Sequence, residues 1–278
     1  MRASLHDVVA RAAPARAVAA FTCYDLETAT AAVAAAGSRP LVLLVALRSF
    51  VETGGDALLA SLGAVADAAS GPVAVQLDHC GDLAVIERAL AGGATAVMAD
   101  AAGEAFEANV AFVRAAAEVA AAYGASVEAE LGRLEGDEEA ASPAFAGALT
   151  DPDEARELCA ATGAHCLAVS FGNVHGRYVG APALDWERLD TVARAVDVPL
   201  SLHGASGLPD ADVRRAVAAG IAKVNVNTEL REAYLRATSE RLPGVLGEAR
   251  LLDLHAAQRD AVREVCAAKL ELLEREAA

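Results

Sequence analysis

The chain has 278 residues, 55% of them hydrophobic and only 4% aromatic, so a substantial core must be built from Ala, Val and Leu. A net charge of −16 excludes a nucleic-acid partner, which needs a basic footprint, but not a small phosphorylated ligand held by backbone amides. Residues 1–18 lack the continuous apolar stretch of a secretion signal and no run of 18 apolar residues occurs, so the expectation is a cytoplasmic protein with no membrane contact.

Eight short apolar runs are predicted as strands: 17–22, 41–47, 73–79, 96–100, 126–132, 166–172, 199–204 and 223–228. They are too short for helices and too apolar for loops, as strands buried on both faces should be. A helix-compatible stretch follows each. Helix starts are expected at Asp82, Thr150 and Asp185, and left-handed ends at Gly124, Gly163 and Gly220. Eightfold strand–helix alternation predicts an α/β fold, a single (β/α)8 TIM barrel over residues 1–278. An open doubly wound sheet fits less well, because the first strand leads into FTCYDLET and not into a GxGxxG turn. Two segments exceed the repeat: an acidic loop at about 132–149 and a C-terminal helical extension at about 242–278. Cys23, Cys80, Cys159, Cys166 and Cys266 are odd in number and form no CxxC pair, which suits reduced thiols. Cys80 is read as a small residue packed beside its neighbour His79.

Three of the six histidines, His79, His175 and His203, end apolar runs (VAVQLD-H, LAVSFGNV-H, PLSL-H). In a barrel, strand C-termini carry the chemistry. Converging imidazoles with an open fourth position predict a catalytic divalent-metal site, with Zn2+ the first choice. Carboxylates lie at the same level. Asp78 precedes His79, Glu128 and Glu130 share a strand face, and Asp100 closes strand four. Asp100 and Glu130 are read as partners that orient an imidazole, as helix caps, as ligands of a second metal, or as catalytic groups themselves. Gly176, Gly204, Ser206, Asn225, Asn227 and Thr228 follow strands six to eight, where barrel phosphate sites often form.

The set VQLDH, VEAELGRLEGDEE, SFGNVHGRY, LHGASG and KVNVNTEL, in order from about Ala17 to Leu230, resembles the class II, metal-dependent fructose/tagatose-bisphosphate aldolases. It is most similar to their tagatose-type branch. The resemblance implies that His79, His175 and His203 bind zinc, and that Asp78 exchanges a proton with the hydroxyl at the cleaved bond. It also implies that Glu138, in the loop after ELG, exchanges the proton of the donor carbon, with Asp137 and Glu139 one residue away. The glycines, Ser206, Asn225, Asn227 and Thr228 would hold dihydroxyacetone phosphate. A monovalent cation, a small phosphorylated sugar as substrate and a homodimer or homotetramer are further implications. The chemistry is consistent with this. Cleavage beside a ketone leaves a carbanion, which a divalent cation can stabilise as an enediolate while two carboxylates move the protons.

Some positions depart from the family pattern. Thr22 stands where Asn is usual, Ala46 and Arg48 where a hydroxyl residue is expected, Ala102 where Ser or a similar residue is expected, and Glu135–Gly136 replaces a paired glycine. In the family, the first three face the aldehyde half of the substrate. Arg48 is read as a contact for an anionic acceptor or as a solvated rim residue. Two other readings stay open: a metal-holding barrel without turnover, and a metal-dependent barrel hydrolase, although Phe21–Thr22–Cys23 lacks the His-x-His pair expected of the latter.

Overall fold

The computed structural model describes residues 1–13, 16–133, 143–144, 147–178 and 180–274. Eight parallel strands close a barrel: β1 (Val18–Thr22), β2 (Leu41–Ala46), β3 (Val73–Cys80), β4 (Ala96–Ala99), β5 (Ser126–Leu131), β6 (Cys166–Val169), β7 (Leu200–Leu202) and β8 (Ile221–Val226). Each pairs with its neighbours in chain order, and β8 returns to β1 with Val18 opposite Lys223. The (β/α)8 expectation is borne out. Strands six and seven are shorter than their apolar runs, so His203 lies just past β7, and His175 lies in a loop six residues past β6.

Both faces of the strands are buried. Outward residues such as Phe21, Leu43, Val75, Leu77, Val127 and Leu167 pack under the surrounding helices. Inward residues divide by height. Val18, Ala20, Val42, Leu44, Ala74, Ala96 and Cys166 make an apolar layer at the N-terminal end. Helix α1 (Leu5–Ala12), not among the predicted elements, plugs that layer with Leu5, Val8, Val9 and Ala12. Its acidic and basic neighbours hide its apolar stripe in a sequence scan. Above the plug the interior turns polar: Gln76, Glu128, Ser201, His203 and Lys223 are all 0% exposed. The site is built on that polar layer.

The remaining helices are α2 (Leu26–Ala36), α3 (Leu47–Glu52), α4 (Gly55–Ala68), α5 (Leu83–Ala91), α6 (Phe106–Ala122), α7 (Pro152–Thr162), α8 (Trp186–Ala195), α9 (Asp210–Ala218), α10 (Thr228–Leu246) and α11 (Leu251–Leu272). Asp82 and Asp185 cap α5 and α8 as expected. The expected cap at Thr150 is a correction. Asp151 caps α7, accepting from the amides of Asp153 and Glu154. Thr150 is fully buried, and its hydroxyl donates to the Leu131 carbonyl while accepting from the Ser170 amide. It joins the ends of β5 and β6. Helix α10 runs through residue 242 to Leu246 despite Pro243, and α11 then packs across α2 and α10. Among the described residues no helix is long and apolar enough to cross a membrane.

The separate roles of Thr150 and Asp151 can be tested directly. Asp151→Ala should cost about 1 kcal/mol, as loss of an exposed cap does. Thr150→Val, which strands two buried backbone groups, should cost about 2–4 kcal/mol. Urea unfolding of both variants checks the order; equal losses would contradict it.

Candidate metal and substrate site

At the end of β3 the chain brings two consecutive side chains to one place. Asp78 stays in register opposite Ala46 of β2 and is 1% exposed. At His79 the backbone leaves the strand region, with φ at +46°, and pairing with β4 shifts between Leu77 and Cys80. A left-handed non-glycine residue is uncommon and is kept only where its surroundings hold it. The result is that both side chains reach the surroundings of His203. His79 Nε2 lies 3.0 Å from His203 Nδ1, and Asn225 Nδ2 lies 3.2 Å from both Asp78 Oδ2 and His203 Nδ1.

The far side of each imidazole is held by a carboxylate. His203 Nε2 lies 2.8 Å from Glu128 Oε1, and His79 Nδ1 lies 2.8 Å from Asp100 Oδ2 and 3.6 Å from Glu130 Oε2. Burial pushes the His203 imidazole down to about 4, only partly offset by Glu128, so the ring is neutral at neutral pH. Burial also opposes ionisation of Asp100, but the hydrogen bond and charge of His79 outweigh it and keep the carboxyl low. An ionised carboxylate can only accept, so each takes the ring N–H on its side. With His79 neutral, the tautomers that follow make His79 Nε2 and His203 Nδ1 face each other as acceptors 3.0 Å apart. A cation resolves that opposition. Two imidazole nitrogens on one tetrahedral zinc lie roughly 3.3 Å apart, close to the separation seen here.

His175 completes the set from the loop after β6. Buried Asn173, which no sequence motif singled out, shapes that loop: its side chain accepts from the Phe171 amide and donates to the Val169 and His203 carbonyls. The His175 ring centroid lies 5.0 Å from that of His79 and 6.0 Å from that of His203. The three histidines each offer a nitrogen within 4.8 Å of the others, and His79, Asp100 and Glu130 form a second group by the same measure. The donor chemistry fits a divalent metal ion in the first group.

Beneath the histidines lies a buried ion pair that sequence reasoning also missed. Glu128 Oε2 accepts from Lys223 Nζ at 2.8 Å and Gln76 Nε2 at 2.7 Å, while Oε1 accepts from Ser201 and His203. Burial opposes its ionisation, but Lys223 and His203 hold the carboxyl well below the usual range. Lys223 also donates to Asn225 Oδ1 at 2.6 Å, which turns the Asn225 amide nitrogen toward Asp78. The signs of this pair in the sequence are Lys223, the one charge in its strand, and Glu128, which shares its strand with Glu130.

All six predicted phosphate contacts, Gly176, Gly204, Ser206, Asn225, Asn227 and Thr228, line one small cleft together with His175. Gly204 has φ +65°, and a Cβ there would fall 2.0 Å from the Val174 carbonyl oxygen, so the loops approach too closely for any side chain. Glu138 and its neighbours Asp137 and Glu139 lie outside the described residues. Arg48 sits on α3, 67% exposed, with its guanidinium 2.8 Å from Glu52. Thr22 and Ala46 are buried in the barrel wall, and the Ala102 amide donates to Asp100.

The family model described as "Fructose-bisphosphate aldolase class-II" matches residues 3–277. The chain belongs to this family. As a class-II aldolase it is a lyase that breaks and forms carbon–carbon bonds, and metal dependence is general in the family. It is 43% identical, over 221 residues and 78% of each chain, to the D-tagatose-1,6-bisphosphate aldolase subunit GatY of Klebsiella oxytoca. Among solved structures, the YdjI aldolase of Escherichia coli K12 is 31% identical, with a TM-score of 0.85 over 98% of this chain and 97% of that one. The fructose-bisphosphate aldolase of Campylobacter jejuni shares the fold at 17% identity, with a TM-score of 0.77 over 98% and 95%. The family model and the 43% identical relative agree with the tagatose-type resemblance read from the motifs.

The three histidines make metal binding testable one ligand at a time. His79→Ala, His175→Ala and His203→Ala should each remove tight zinc binding while circular dichroism still reports a folded barrel. Unchanged zinc stoichiometry in all three variants would sink the assignment.

Proposed function

We propose that this aldolase cleaves and forms a bond between a dihydroxyacetone-phosphate-like donor and an aldehyde other than a triose phosphate, with zinc at His79, His175 and His203. The observation that carries the reading is the approach of His79 Nε2 to His203 Nδ1 at 3.0 Å beside Asp78, next to a cleft that His175 also lines and whose lining suits a phosphate. The name of the 43% identical relative supports a phosphorylated ketose as the substrate class, and so the donor half of the reading. Family resemblance further supports a homodimer or homotetramer and a monovalent cation.

The chain's own residues would divide the work as follows. Glycine-loop amides, Asn227, Thr228 and the amino end of α10 hold the donor phosphate. A divalent cation supplies Lewis-acid stabilisation of the negative charge that builds on the donor as the bond breaks. Asp78, steadied by the Asn225 amide, takes the proton from the hydroxyl on the acceptor side of the breaking bond. The electrons of that bond pass to the donor carbon, and Glu138 returns one proton to it. One proton leaves the substrate and one enters, and solvent resets the two carboxyls.

The acceptor side supports a departure in substrate. Ala46 stands opposite Asp78 on β2, and Ala102 stands beside Asp100, so two methyl groups occupy positions where the family carries hydroxyls. Missing partners for substrate hydroxyls discriminate strongly. Each lost hydrogen bond should cost about 1–3 kcal/mol, and two together on the order of a hundredfold or more in rate.

Two measurements follow. In deuterated water the zinc-loaded protein should exchange the C3 proton of dihydroxyacetone phosphate efficiently, yet cleave fructose and tagatose 1,6-bisphosphate poorly. Efficient kcat/KM on either bisphosphate would show the departures to be neutral. Asp78→Ala should block cleavage while retaining exchange, and Glu138→Ala should lose exchange most severely. Equal loss of both activities in both variants would overturn this assignment of roles.

A further inference from the structure

The proposed phosphate cleft contains an unexpected neighbour. Ser206 is buried in the cleft wall, and its hydroxyl donates to Glu229 Oε2 in the first turn of α10. A carboxylate bonded to a residue of an anion cleft opposes the anion: it adds negative charge and takes the serine proton that would otherwise point at phosphate. The other oxygen of Glu229 lies 2.8 Å from Lys269 Nζ, on the last turn of α11. The two side chains are only 25% and 18% exposed, so water screens the pair weakly. Burial opposes ionisation of Glu229, but Lys269 and the Ser206 hydroxyl outweigh it, and the group stays charged.

We infer that Lys269, which lies far beyond the cleft residues in sequence, sets the cleft's affinity for phosphate by neutralising Glu229 and so holding Ser206 in place. Lys269 is not one of the metal-site residues; it is a positioning residue. The inference rests on the reading of this cleft as the donor-phosphate site. On this view α11 serves the site as well as the fold, since it carries the cation that makes an acidic neighbour tolerable. A packing role alone would affect folding and leave phosphate affinity untouched.

The test is a charge cycle on the zinc-loaded protein, reading the inhibition constant of inorganic phosphate against donor-proton exchange and the KM and kcat of that exchange. Lys269→Met leaves Glu229 uncompensated and should raise the phosphate constant and donor KM by about tenfold, with kcat within about twofold. Lys269→Met with Glu229→Gln removes both charges and should return within about threefold of the parent, as should Lys269→Arg. Thermal melting checks that each variant is folded. If Lys269→Met stays within about twofold of the parent, or the double variant is as weak as the single one, the inference is overturned. If phosphate fails to compete with the donor even in the parent protein, the cleft assignment falls, and this inference with it.

Discussion

Inside the barrel, out of reach of solvent, the Glu128 carboxylate meets Lys223 Nζ at 2.8 Å, and from that contact most of the site geometry follows. Two opposite charges in a core are expensive to desolvate, and they persist only when their remaining hydrogen-bond capacity is filled. Here it is filled by functional groups. Glu128 accepts the Nε2–H of His203 and so presents Nδ1 to the site, while Lys223 donates to the Asn225 oxygen and so presents the amide nitrogen to Asp78. One pair therefore fixes a ligand tautomer and an amide orientation at once. Removing either partner alone would leave an unpaired buried charge, at about 3–5 kcal/mol.

The barrel can carry this polar layer because the layer below it is apolar and closed. Apolar residues from β1, β2, β3, β4 and β6 fill the N-terminal end, and α1 seals it, so the buried charge of the interior lies above that layer. The left-handed backbone at His79 serves the same crowded space. A regular strand would send Asp78 and His79 to opposite faces. The turn and the register shift against β4 deliver both to the surroundings of His203.

Much of this was legible in the sequence, because strand–helix alternation and apolar runs ending in histidine are local signals. The eight strands were found that way, as were Asp78, the three histidines that the structure gathers, and the six residues that line one small cleft. What stayed hidden depends on distant pairing. Lys223 and Glu128 lie on different strands and read separately as odd charges in apolar runs. The role of Asn173 requires knowing that its side chain reaches the His203 carbonyl. Thr150 had the composition of a helix cap, yet its hydroxyl ties two strand ends and Asp151 does the capping. His175 read as a strand end, but its run leaves the sheet at Val169.

The central claim is that buried Glu128 imposes the His203 tautomer and so prepares Nδ1 for a metal. Nitrogen NMR of histidine-labelled, metal-free protein tests it most directly, with a His203→Gln variant to assign the resonance. The account predicts a neutral His203 ring protonated at Nε2 at neutral pH, and loss of that fixed tautomer in Glu128→Gln. A His203 ring protonated at Nδ1, or the same spectrum with and without the Glu128 carboxylate, would contradict it.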